Sequence, residues 1–317
     1  MEKTVLYVFG AWFLLLAGTS SAEISKSNSI WSHFDLSLSL ETGYRQDDFS
    51  WNEAHPSGSP NVLSELTWSN MDVMYGRIAG DLTFKDRYYI KGLAGFGGIV
   101  KGDNSDSDYA SDNRGDEFSR SDNQAAGDVR DFSLGLGVKL QWHDASVAKT
   151  ITIIPLIGYA YHLQNLGITD GFQTNPPTGA FSGLNSSYDT IWRGEWYGAD
   201  LLFEIDDKWS MDVGFEYHPN ARYSAEANWN LSTNFQQPLS FSHKAQGEGL
   251  YWSIGGTYVW NKRWNFRVVA ESFRWQSEKG TDTTFLTDGT TVLLPLNEVT
   301  WDATGIMFGA TRKFDIK

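Results

Sequence analysis

The sequence predicts an all-β chain: a ten-stranded antiparallel transmembrane β-barrel of the bacterial outer membrane. Three observations carry that expectation. After residue 22 no stretch holds a 3.6-residue apolar period, whereas period-2 segments recur to the end of the chain. The connections between those segments alternate strictly between short and long, as in barrels with short periplasmic turns and long extracellular loops. The mean hydropathy is only −0.37 although 15% of residues are aromatic, with 14 Trp among them. A barrel wall reconciles the two, because one face is apolar and the other polar.

The same figures narrow the function classes. With 25 Lys+Arg against 39 Asp+Glu the chain carries a net charge of −14, which opposes binding to nucleic acid. The absence of cysteine excludes disulfide scaffolds and thiolate chemistry. A helical membrane bundle would need several apolar runs of about 20 residues, and none follows the first segment.

Residues 1–22 read as a secretory signal. Lys3 precedes an apolar run from Val5 to Gly18, and Ser20-Ser21-Ala22 supplies the small residues of a cleavage site. The barrel is then expected over residues 23–317, in the outer membrane. Its ten segments fall near 34–49, 62–83, 87–100, 128–142, 150–166, 188–205, 209–226, 247–260, 264–280 and 298–314. In the fourth, Phe132, Leu134, Leu136, Val138, Leu140 and Trp142 share one face. Met211, Val213, Phe215 and Tyr217 do so in the seventh, and Leu250, Trp252 and Ile254 in the eighth. Val299, Trp301, Ala303, Gly305 and Met307 form the apolar face of the tenth, and all these faces are expected to meet lipid. The stretches 50–61, 101–127, 167–187, 227–246 and 281–297 read as long polar loops. Trp142, Trp209, Trp260 and Trp264 sit at the short-turn ends, where an interfacial girdle belongs.

A strand of about 16 residues, tilted near 45°, stands roughly 37 Å tall against an apolar band of about 25 Å. The walls should therefore rise above the outer leaflet. Eight strands are filled by side chains and about 16–18 leave an aqueous channel, so ten favour a narrow or plugged lumen.

Several local patterns resemble the omptins, the ten-stranded outer-membrane proteases: Ser64-x-Leu66-x-Trp68, Gly76-x-Ile78-x-x-Asp81-Leu82, Gly158-Tyr159 and Asp106-Ser107-Asp108-Tyr109. The overall pattern is closer still to an omptin-like group, the Protochlamydia outer membrane protein family, and that resemblance implies a pore role. The omptin resemblance implies proteolysis by a water held between a pair of aspartates and an Asp-x-His couple. Asp106 and Asp108 match the first couple, and lying two apart on an extended segment they point the same way. The second couple is missing: its positions, counted from Phe215-x-Tyr217, hold Ala227 and Trp229. His218 and His243 are the two histidines within reach of that role, while His33, His55, His143 and His162 form no ligand-spaced set. Leu163 stands where the omptin lipopolysaccharide pattern has Arg.

Residues 101–127 hold Asp103, Asp106, Asp108, Asp112, Asp116, Glu117 and Asp122 against Lys101, Arg114 and Arg120. An EF-hand started at Asn104 would place Tyr109 and Gly115 where Gly and Glu are needed, so that motif fails. The stretch is either a solvated polar loop or an acidic mouth that attracts cationic peptides or divalent cations. No cofactor is expected. The expected function is a non-enzymatic outer-membrane barrel, a narrow pore or a surface or structural protein, with outer-membrane lipids as partners. The alternative is an omptin-like endoprotease cleaving basic peptides with water activated by Asp106 and Asp108.

Overall fold

The computed structural model describes residues 34–144 and 148–316; the expected signal at 1–22 lies outside them. Ten long strands wind in sequence: β1 (Phe34–Glu53), β2 (Ser64–Phe84), β3 (Tyr88–Ser111), β4 (Gly115–Val138) and β5 (Ala148–Asn175). They continue as β6 (Asn185–Glu204), β7 (Trp209–Asn228), β8 (Phe241–Val259), β9 (Trp264–Ser277) and β10 (Thr291–Ile316). Leu140–Asp144 prolongs β4 beside β5, and Gly280–Phe285 prolongs β9 between β8 and β10. Each strand pairs antiparallel with the next, and β1 pairs β10 from Phe34↔Ile316 up to Glu53↔Leu296. The β1–β10 pairing closes the sheet on itself, as a barrel does to remove the open edges of a sheet.

The strand order and the short turns match the sequence reading, but the upper boundaries do not. Only residues 112–114 connect β3 to β4, so most of the expected 101–127 loop is a tall hairpin. The expected 281–297 loop is likewise mainly strand, and β5 runs on to Asn175. The physical reason is that strands clear of the lipid need no apolar outer face. Their period-2 signal fades while backbone pairing continues.

On the outer wall Leu134, Leu136, Leu140, Trp252, Ile254 and Phe215 are exposed, as the alternation predicts. Trp142, Trp209, Trp260 and Trp264 are exposed at the short-turn end. β10 corrects the sequence reading. Val299, Trp301, Ala303 and Met307 are buried in the lumen, and Ile306 and Phe308 of the other parity face outward.

β1 serves as a ruler for the interior, because Ser37, Glu41, Arg45, Asp47, Phe49, Trp51 and Glu53 follow one another up its inward face. The lower lumen holds a polar cavity of about 410 Å³. Lys91 there bridges Asp200 and Glu216, each at 3.0 Å, and Arg77 bridges Glu41 and Glu271, each at 2.6 Å. Trp196 lies over the facing glycines of β4 and β5; a Cβ at Gly158 would come within 2.3 Å of its ring.

Higher up, Arg45 is fully buried and bonds Asp47 and Asp131, both at 2.7 Å. The Tyr75 hydroxyl donates to Asp131 at 2.7 Å, and His162 Nδ1 lies 2.7 Å from its other oxygen. Each of these charges has left water, and only the close opposite charge offsets that cost. Above the belt the lumen is packed with Phe49, Trp51, Trp68, Tyr188, Trp192, Trp275 and Trp301, every one of them buried. Trp275 and Trp301 stack at 6.1 Å, and Trp68 stacks on Tyr188 at 5.5 Å. These rings lie in the lumen between the charged belt below and the mouth above.

Candidate functional site

Above the aromatic layer the inward parity turns acidic. On β3 the register shifts between Gly98 and Asp103. Below that irregularity odd-numbered residues such as Lys91 and Gly97 face the lumen, and above it the even-numbered Gly102 does, against Met71. The bulge therefore carries Asp106 and Asp108 onto the inner side. Asp106 pairs in register with Leu66 and Ser121, and Asp108 with Ser64 and Ser119. The two aspartates stand together as expected, on a strand rather than in a loop.

They are not alone. Glu53 at the top of β1 links them to the His243–Asp282 pair, since its carboxylate feels the charges of Asp282, Asp108 and Asp106 and groups with His243 and Asp282. His243 on β8 and Asp282 on the extension of β9 are direct cross-strand partners, with Nε2 and Oδ2 2.9 Å apart. His243 Nδ1 lies 2.7 Å from the Tyr188 hydroxyl, which in turn lies 2.6 Å from that of Tyr223. The ring meets Trp51 edge-on at 4.7 Å. Both His243 and Asp282 are fully buried, whereas Glu53, Asp106 and Asp108 are partly open to the mouth.

The crowding changes the acids' proton affinity. Burial first, and then the neighbouring Asp108 charge, push Asp106 up to about 7, against the hydrogen bond that the Trp229 side chain gives it. Burial also raises Asp108, opposed by hydrogen bonds from Ser64 and Ser119. Glu53 is held well above the usual carboxylate range by burial and by the charges of Asp282, Asp108 and Asp106. Such a group can share protons among its acids or hold a cation between them.

Of the two histidines that the sequence left open, the structure brings His243 to the acids. His218 lies elsewhere, 3.8 Å from Glu216 with its ring against Trp275 at 4.5 Å. Asp282 and Glu53 escaped the sequence reading. Asp282 fell in an expected loop, and only the β8–β9 register places it opposite His243. Trp229, at the position of the omptin histidine, follows the end of β7 and reaches Asp106 with its indole N–H. The Asp282–His243 pair of this chain spans two strands.

The family model of the Protochlamydia outer membrane protein matches residues 39–314, nearly the whole barrel. The chain belongs to that family. Among solved structures, this family member is similar to the outer membrane protease OmpT from Escherichia coli. The TM-score is 0.69 at 12% identity, covering 90% of this chain and 97% of OmpT. That likeness shows a shared omptin-like fold. The translocator domain of the autotransporter NalP from Neisseria meningitidis also matches, at 11% identity and a TM-score of 0.34, over 87% of this chain and 88% of the domain. A Pseudomonas aeruginosa FadL homologue does so at 10% identity and a TM-score of 0.25, over 90% of this chain and 91% of its own. Neither bears on the arrangement of the site. No curated protein matches the chain. The family member is an outer-membrane β-barrel whose mouth combines a paired aspartate motif with a cross-strand histidine.

Proposed function

We propose that the protein is a sealed outer-membrane barrel that acts at the cell surface through its acidic mouth, not a conduit for solutes. One observation carries this reading: the buried aromatic layer from Phe49 to Trp301 occupies the lumen above a belt of paired charges. A hydrated path would have to displace stacked indoles and break buried ion pairs, and both steps are costly. The acidic mouth gives the surface a preference for cationic partners. Purified protein in planar bilayers is expected to show no steady conductance under an applied potential. A reproducible ohmic channel in the wild-type protein would defeat the proposal.

A second reading is favoured by the cluster itself. Asp106, with its proton affinity near neutrality, and Asp108 share the mouth with an Asp282–His243 pair, the elements from which an omptin-like endoprotease orients a water. Against it stand the full burial of His243 and the Trp229 hydrogen bond on Asp106. On the sealed-surface reading a fluorogenic dibasic peptide stays intact. Cleavage that disappears in Asp106→Ala/Asp108→Ala would establish the protease instead.

A further inference from the structure

His243 presents an unusual combination. Its Nε2 is buried and makes no hydrogen bond, yet it lies 2.9 Å from a carboxylate oxygen of Asp282. A proton on Nε2 would point past that oxygen instead of at it. Two atoms so close, with neither donating to the other, are placed as two ligands of one ion are placed. Zinc–nitrogen and zinc–oxygen bonds of about 2.0–2.2 Å at a tetrahedral angle set neighbouring ligand atoms roughly 3.3–3.5 Å apart, so the pair would open by about half an ångström around the ion.

Glu53 supplies the third donor: one ligand atom each from Glu53, His243 and Asp282 all lie within 4.8 Å of one another. On the far side of the ring, Tyr188 engages Nδ1 at 2.7 Å, the kind of outer hydrogen bond that holds a metal-binding imidazole in place. We infer that Glu53, His243 and Asp282 form a binding site for a first-row divalent cation such as Zn²⁺, placed between the aromatic layer and the mouth. One nitrogen and two carboxylates suit zinc, whereas calcium takes about six to eight oxygens. Glu53, the partly open member, leaves the remaining coordination position toward solvent. The inference does not rest on the sealed-barrel reading, since a conducting barrel would contain the same three donors.

The test uses the full-length barrel in detergent, stripped with a chelator and titrated with ZnCl₂. Bound zinc is counted after gel filtration, and intrinsic tryptophan fluorescence is followed in parallel. The expected result is one Zn²⁺ per chain, undiminished by excess Ca²⁺. Glu53→Gln and Asp282→Asn should each weaken binding by about tenfold or more, since even outer-shell changes cost about 10–100-fold. Asp103→Asn/Asp122→Asn, on the acidic β3–β4 hairpin and outside the site, should bind as wild type does. Absence of stoichiometric zinc, or equal affinity in wild type and Glu53→Gln, would overturn the inference. Folding of each variant is verified by its heat-modifiable mobility in SDS gels. If Asp282→Asn does not fold, the partly exposed Glu53→Gln decides alone.

Discussion

Arg45→Met is expected to destabilise the barrel by about 3–5 kcal/mol, the usual consequence of removing one partner from a buried ion pair. The guanidinium is fully enclosed, bonded to Asp47 through Nε and to Asp131 through Nη1, and its Cζ lies 4.9 Å from the Tyr75 ring centroid. Methionine keeps much of the side chain's length and none of its charge, so both carboxylates would be left facing each other without a cation. Asp131 would keep only Tyr75 and His162, and Asp47 only the indole of Trp301 at 3.0 Å. Urea unfolding in lipid vesicles, followed by tryptophan fluorescence, measures the change. The triple variant Arg45→Met/Asp47→Asn/Asp131→Asn should recover much of the loss, because it removes the stranded charges along with the arginine. An unaltered unfolding midpoint in the single variant would show that the belt does not depend on its cation.

Trp301→Ala is expected to cost a similar amount, about 3–5 kcal/mol for deleting a large buried ring. Trp301 stacks on Phe273 at 5.6 Å and on Trp275 at 6.1 Å, and its indole N–H is the donor that ties the aromatic layer to Asp47. The loss would leave a cavity in the aromatic layer. Pairing it with Trp275→Ala should bring on flickering conductance in planar bilayers that the wild-type protein is expected not to show. If the double variant stays as tight as wild type, the aromatic layer is not what closes the barrel.

Much of the fold was legible in the sequence, and the legible part is the apolar outer wall. Leu134, Leu136 and Trp142 on β4, and Trp252 and Ile254 on β8, alternate with polar neighbours, and the wall presents them outward. The same alternation misled in β10, where Val299, Trp301 and Met307 face the lumen instead. Period 2 says that two faces differ but not which face is inside, and an aromatic lumen looks like a lipid face in sequence. At the mouth, the same-side placement of Asp106 and Asp108 was legible because their spacing is local. Asp282 and Glu53 were not, because each reaches His243 only through strand pairing or barrel closure.

By itself, then, the sequence determined the number and order of the strands, the placement of the short turns with their tryptophan girdle, and the acidity of one end. These are written in residues two apart along one strand. The tertiary structure alone decided what fills the lumen. Arg45 meets Asp131 across 86 positions, Arg77 meets Glu271 across 194, and Trp301 meets Asp47 across 254. Those partners are chosen by register and closure, and both are properties of the whole ring of strands. The outer wall faces away from the rest of the barrel and needs only a local pattern. The interior touches the opposite wall, and a local pattern carries no record of it.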